Sequence, residues 1–378
     1  MTYDKTKHII PFFFCSLVLL FSSIFSMSVK AEEEEFNPGE YIMGHITDDY
    51  GWHITTINDH HISIPLPVML FDNGSFVAFS SSKLHHGQQA YKGYALGFTE
   101  ETEGSIVKLG GNYAEYTGEI DHEAASIDHV CKYDISITKN VCALLISIAL
   151  LCWIFLSVAK KYKEGPLKAP KGMQSLLEPL ILFIRDDVAI PSIGEEKYQK
   201  YFPYLLTLFF FILVNNLMGL IPIFPGGANL TGNITVTGVL AIITFFITNI
   251  SGNKHYWKDI FNSPSVPWPL KFPLPLMPVI EFIGILTKPF VLMIRLFANI
   301  TAGHIIVLGF IGLIFIFGAM SPAIGYAVSP VSIFVYIFMG LLELLVAFIQ
   351  AFVFTLLSAI YIGMAVEEPH HGELKTEN

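Results

Sequence analysis

From Leu274 to Met320 the chain offers apolar side chains almost without interruption, and an arginine, Arg295, stands near the middle of them. A bilayer core of ~30 Å needs only about 20 helical residues. The stretch 276–320 has 45 residues and would run roughly 67 Å as a helix. Four more stretches have spanning character: 137–159, 201–221, 234–250 and 331–366. The last of these, at roughly 54 Å, is also too long to stand upright. A long apolar pair of this kind fits a bilayer as a strongly tilted hairpin. Composition agrees with a membrane protein. Of the residues, 53% are hydrophobic and 14% charged, against about 25% charged in soluble domains. The net charge of −10 points away from nucleic acid as a partner.

Loop charges orient the spans. Lys160, Lys161, Lys163, Lys168 and Lys171 follow the first, and Lys254, Lys258 and Lys271 follow the third. The loop "PIFPGGANLTGN" after the second has neither lysine nor arginine. Positive residues mark the cytoplasmic side, so the N-terminal part lies outside and the C-terminal tail, 367–378, inside. Between the first two spans, 173–184 is too short to cross and carries Glu178-Pro179. It reads as an interfacial helix.

The N-terminus has the layout of a signal peptide, 1–31. Lys5, Lys7 and His8 precede an apolar run, and Val29 and Ala31 stand at −3 and −1 of a cut after Ala31. Residues 32–136 then form an exported (periplasmic) extension. After the acidic tract from Glu32 to Glu35, short alternating stretches such as "WHITTI", "HISIPLPVMLF" and "SFVAFS" are separated by Asn-Asp or Asn-Gly. These predict a β-rich unit. It holds eight of the thirteen histidines, but no zinc-site spacing, so solvated strand or loop histidines are expected and no metal. The four cysteines supply no disulfide framework. The fold class is an all-α polytopic membrane protein with five transmembrane helices, plus an N-terminal β-rich extension.

The intramembrane polar groups fall on the last two spans. Glu281, Lys288 and Arg295 recur every seventh residue and advance only about 20° at each step. Asn299 is one turn further on, and His304 faces the opposite side. Tyr336, Glu343 and Gln350 form a second stripe. Folded about a turn at 321–330, one antiparallel register sets Arg295 with Gln350 and His304 with Glu343 at matching depths. Lys288 can snorkel to the surface and Glu281 can be merely interfacial. Arg295 has no such escape. A central arginine costs at least ~2.5–3.5 kcal/mol on insertion scales and cannot be neutralised. It requires a negative partner or a water path.

"RLFANITAGH", with "EFIGILTKPFVLMI" before it and "ELLVAFIQAFVFTLLSAIYIGMAVEEPH" later, closely resembles subunit a of the F-type ATP synthases. "KYFPYLLTLFFFILVNNLMGLIP" resembles that family's second membrane helix. The resemblance implies a stator wall beside a ring of c subunits, with two aqueous half-channels for protons. Arg295 would be the essential arginine facing the ring carboxylates. Asn299 and Gln350 match positions near it, and Glu281 matches a carboxylate of the cytoplasmic-side path. His304 and Glu343 match the pair of the outer-side path, in the reverse order to some members. Asn216 matches an asparagine near the outer entrance, and Gly219 stands where some members have aspartate. The implied partners are the c-subunit ring, the b-subunit stalk, the F1 sector indirectly and the lipid membrane, with no cofactor. The implied location is a bacterial cell inner membrane. Residues 32–136 match no family role. A secondary transporter is disfavoured by the lack of an internal repeat. An intramembrane hydrolase is disfavoured by the lack of its motifs. No covalent chemistry is expected from the chain alone.

Overall fold

A computed structural model describes residues 38–57, 60–99, 101–122, 124–164, 172–221, 226–262 and 276–368. The expected signal peptide, the acidic tract and the tail beyond Glu368 lie outside the described residues.

The extension is β-rich, as its alternation predicts. Helix α1 (Pro38–Ile46) leads into short antiparallel strands. β1 (Gly51–Ile57) pairs with β2 (His60–Pro65). β3 (Pro67–Asp72) lies between β4 (Ser75–Ser80) and β10 (Tyr133–Asp134). β5 (Gln89–Ala90) pairs with β8 (Gly118–Glu119), and β7 (Ile106–Leu109) lies between β6 (Tyr94–Leu96) and β9 (Ile127–Val130). Period two decides what each strand buries. On β3, Val68 and Leu70 are buried while Pro67 and Phe71 are exposed. Val68 and Leu70 join Tyr50, Leu84, Tyr94 and Ile106 in one core. Asn73 and Gly74 close β3 onto β4 with φ of 46° and 81°, the left-handed values a two-residue hairpin turn requires.

Five helices are long and apolar enough to cross a membrane. They are α2 (Lys139–Glu164), α5 (Tyr198–Leu220), α6 (Ile234–Ser251), α8 (Leu276–Met320) and α9 (Pro322–Val366). Between α2 and α5, the helical run α3 (Met173–Phe183) continues through a π-helical turn, Ile184–Ala189, into α4 (Ile190–Ile193). Its second half buries Ile184, Val188 and Ala189 completely. α7 (Lys254–Asn262) follows α6.

The main core gathers Leu205, Phe209 and Ile212 of α5, Leu292 and Leu296 of α8, and Phe354 and Ile362 of α9. Small residues on α9 let its neighbours approach. Ala347, Ala351, Thr355, Ser358 and Ala359 are all buried. A Cβ on Gly363 would run into the Ser192 carbonyl oxygen. The Thr355 and Ser358 hydroxyls donate to the carbonyls of Ala351 and Phe354 one turn back, which satisfies them without a partner helix.

The hairpin differs from expectation at its turn. Residues 322–330 are helical, so α8 and α9 are equal at 45 residues each, and only Ser321 is extended, at φ −163° and ψ 131°. Pro322 stands at the first helical turn, where its missing N–H costs nothing. Pro330 lies inside α9, and Ser329 just before it donates its hydroxyl to the Gly325 carbonyl. Such local bonding lets membrane helices carry a proline. The return is tight because Gly325 faces Gly318. A Cβ on Gly325 would sit 2.7 Å from the Gly318 Cα.

The extension is fastened to the bundle. The Asp48 carboxylate accepts from the Asn140 N–H at 3.0 Å and so caps α2. The Lys139 N–H donates to Asp49 O at 2.8 Å, and Lys139 Nζ donates to Thr47 O at 2.9 Å. Trp52 is buried with Ala143 of α2 and Ala228 of the α5–α6 loop.

Candidate functional site

A cavity of about 580 Å³ lies between the extension and the bundle. Gly219 on α5, Asn229 in the α5–α6 loop, His304 on α8, and Tyr336 and Glu343 on α9 line its bundle side. His304 Nδ1 is 2.6 Å from Glu343 Oε1, with side chains 16% and 6% exposed. The register expected from the sequence therefore brings this pair together. The imidazole is turned out of hydrogen-bond alignment, and Oε1 is buried without a hydrogen bond. The contact is thus one of proximity. Two glycines make room for it. A Cβ on Gly303 would lie 3.0 Å from Glu343 Oε1, and one on Gly219 would lie 3.6 Å from His304 Nε2.

Arg295 sits elsewhere. It and Asn299 are exposed on α8, while Leu292, Leu296 and Ile300 beside them are 1%, 1% and 4% exposed. The packed row anchors the helix, and the arginine is carried on the adjoining open face. Among the described residues Arg295 has no ion-pair or hydrogen-bond partner. Gln350, expected at the same depth, is not bonded to it. Gln350 is 8% exposed and turns into the bundle, whereas Arg295 turns out of it.

Glu281 and Lys288 are half-buried at the other end of the bundle. Lys288 Nζ lies 5.3 Å from the Tyr361 ring centroid, within cation–π reach. The charge of Glu281 acts on both Lys288 and Tyr256 of α7. Burial, with Glu281 second, holds the Tyr256 phenol above its ordinary range. Asn216 is buried between α5 and α9. Its amide donates to the Ala347 carbonyl at 3.0 Å, and its own Oδ1 is buried without a partner. An unsatisfied buried carbonyl of this kind costs about 1–3 kcal/mol.

Sequence reasoning missed the other half of the cavity wall. Asp49 and Trp52 of the extension and Lys139 at the start of α2 line it. Nothing in the local pattern of residues 44–52 signals this, because the contact joins segments about ninety residues apart in the chain. Among the described residues no group of three or more His, Cys, Asp or Glu side chains could hold a metal ion.

The sequence profile described as ATP synthase A chain matches residues 141–363. A second profile, a domain of unknown function, matches residues 41–134 and so covers most of the extension. ATP synthase subunit a of Chloroherpeton thalassium is 44% identical over 267 residues, 68% of this chain and 75% of that protein. ATP synthase subunit a of Chlorobium phaeobacteroides is 40% identical over 312 residues, 79% of this chain and 86% of that protein. ATP synthase subunit a 2 of Prosthecochloris aestuarii is 47% identical over 248 residues, 64% of this chain and 72% of that protein. With its family profile spanning more than half its length and relatives of this similarity, the chain belongs to the ATP synthase A chain family, the subunit a family of the F-type ATP synthases.

Proposed function

We propose that the chain is the proton-channel stator subunit of the membrane sector of an ATP synthase in a bacterial inner membrane. The observation that carries this reading is Arg295. It is exposed on an apolar membrane helix and has no counter-charge among the described residues. A sequence keeps such a group only where a negative partner comes to it, and a ring of c-subunit carboxylates passing the α8–α9 face would be that partner. Asn299 stands beside the arginine on the same face.

In this reading the extension side of the bundle is periplasmic. The cavity is the outer half-channel, ending at His304 and Glu343. An imidazole nitrogen can accept a proton and a carboxylate can hand one on, so the pair can take a proton from cavity water and pass it toward the ring. Asn216 is bonded to the Ala347 carbonyl, one turn along α9 from Glu343, and Gln350 is buried. Glu281 marks the cytoplasmic path at the far end. The fixed charge of Arg295 between the two paths displaces the proton of an arriving carboxylate and blocks a direct leak. The driving force is about 2.3 kcal/mol per charge per 100 mV. The chain makes no covalent bond itself. A b-subunit stalk and, through it, the F1 sector complete the machine.

The test is ATP-driven acidification of inverted membrane vesicles carrying wild-type or Arg295→Ala protein, with assembly of the complex checked by blot. Lost pumping in an intact complex is the expected result. Unchanged pumping would overturn the reading. Arg295→Lys should also fail, because an ammonium can lose its proton in a dry site and cannot make the guanidinium fork.

A further inference from the structure

We propose that the extension builds the outer mouth of the proton path and that Asp49 is its proton-collecting carboxylate. The inference rests on the reading that His304 and Glu343 end the outer path.

The cavity supports it by shape and by ownership of its walls. One continuous space of about 580 Å³ touches Asp49, Trp52 and Lys139 on one side and His304 and Glu343 on the other. At about 30 Å³ per water, such a space holds on the order of ten or more molecules, enough for a hydrogen-bonded chain between the two carboxylates. The extension side is held rigidly, since α2 is capped by Asp48 and the Lys139 N–H and Nζ are both tied to residues 47–49.

The two neighbouring aspartates have separate roles. Asp48 Oδ1 accepts from the N–H groups of Asp49 and Asn140 and does not line the cavity. Asp49 Oδ1 accepts from its neighbour Tyr50 N–H at 2.7 Å, and the residue forms part of the wall. The charged or titratable groups facing the space are Asp49, Lys139, His304, Tyr336 and Glu343. Asp49 is the carboxylate of this set that the extension supplies. Binding a proton from outside water on a carboxylate oxygen and releasing it to cavity water returns Asp49 unchanged.

ATP synthesis by inverted vesicles with an acidified lumen makes protons enter through this mouth in the complete complex. With dilute lumenal buffer, Asp49→Asn should slow synthesis about tenfold, the lower end of what a focusing charge adds to an on-rate. Concentrated small-molecule buffer in the lumen should restore the rate, and Asp49→Glu should keep it. Asp48→Asn should leave the buffer dependence as in wild type. If Asp49→Asn assembles normally and matches wild type at every buffer concentration, the proposal is wrong. If Asp49→Asn fails to assemble, Gly44→Trp decides. Gly44 lines the same mouth, and a Cβ there meets nothing within 4 Å, so a side chain can be added at the opening. Slowed synthesis supports the mouth, and an unchanged rate overturns it. Glu343→Gln in the same vesicles separates the two claims. Its loss beside a wild-type Asp49→Asn refutes only the mouth, and wild-type rates in both refute the underlying path as well.

Discussion

His304 on α8 and Glu343 on α9 meet at 2.6 Å across the tightly folded hairpin, at the inner end of a cavity whose other wall belongs to the extension. Either residue could hold either place, since the register is antiparallel. Glu343→Gln should cut proton flow on the order of 10²-fold, the low end of what a positioned proton-transfer group contributes. The exchanged double variant, His304→Glu with Glu343→His, should pump better than either single change. Vesicle acidification measures all three, and a double variant no better than the singles would show that the two do not act as a pair.

Gly219 lies beside the same histidine. A Cβ there would be in ordinary contact, 3.6 Å from His304 Nε2 and 3.5 Å from the Ala228 carbonyl oxygen. Gly219→Asp should therefore assemble and place a second carboxylate within reach of His304. In the Glu343→Gln background it should recover severalfold of the lost pumping. Normal assembly without recovery would count against His304 as the group that needs an acid partner.

Adjacent residues on α8 should behave in opposite ways. Leu296 is 1% exposed, and Leu296→Ala should cost about 2–5 kcal/mol. Arg295 is exposed and has no hydrogen-bond or ion-pair partner among the described residues, so Arg295→Ala should leave thermal stability close to wild type while abolishing pumping. The thermal midpoint of the purified complex in detergent, read beside vesicle pumping, checks both. Equal destabilisation by the two changes would mean that Arg295 is a packing residue.

The extension should respond to pH through His129. Its Nε2 lies 2.9 Å from Asp72 Oδ1, and its Nδ1 lies 3.0 Å from Asp128 Oδ2. The bond to Asp72, then that to Asp128, raises the imidazole above its ordinary range. A raised histidine stabilises the fold below about pH 6.5 and loses that contribution as pH rises through the elevated value. Burial pushes the Asp72 carboxyl up, but bonds from His129 and Tyr94 outweigh it and leave it below its ordinary range. That contribution is present above about pH 3.9 and is lost as pH falls further. Amide-exchange protection of β3 and β9 in the whole complex should thus be higher at pH 6 than at pH 8, by roughly a few-fold at most for a pair whose histidine is partly exposed. His129→Gln should flatten the difference. A variant that keeps the full pH dependence would assign it to another group.

By itself the sequence determined the five spans, the β-rich character of the extension and the residues worth suspecting. These rest on local physics. A run of apolar residues needs a bilayer, strand alternation has period two, and Arg295 is costly wherever its helix lies. It also determined the register of His304 with Glu343, because two helices joined by a short turn leave little freedom in depth. The tertiary structure decided what depends on contacts between distant segments. It turned Gln350 inward and Arg295 outward, although the same register put them at one depth, because rotation about a helix axis is set by packing such as that of Leu296 and Ala351. It extended α9 back to Pro322, since the glycine pair Gly318 and Gly325 permits a turn tighter than a proline-flanked loop suggests. It buried Asn216 between helices and brought Asp49 to the cavity that holds Glu343. Residues nearly three hundred positions apart share one cavity only through the fold, and no local pattern encodes that meeting.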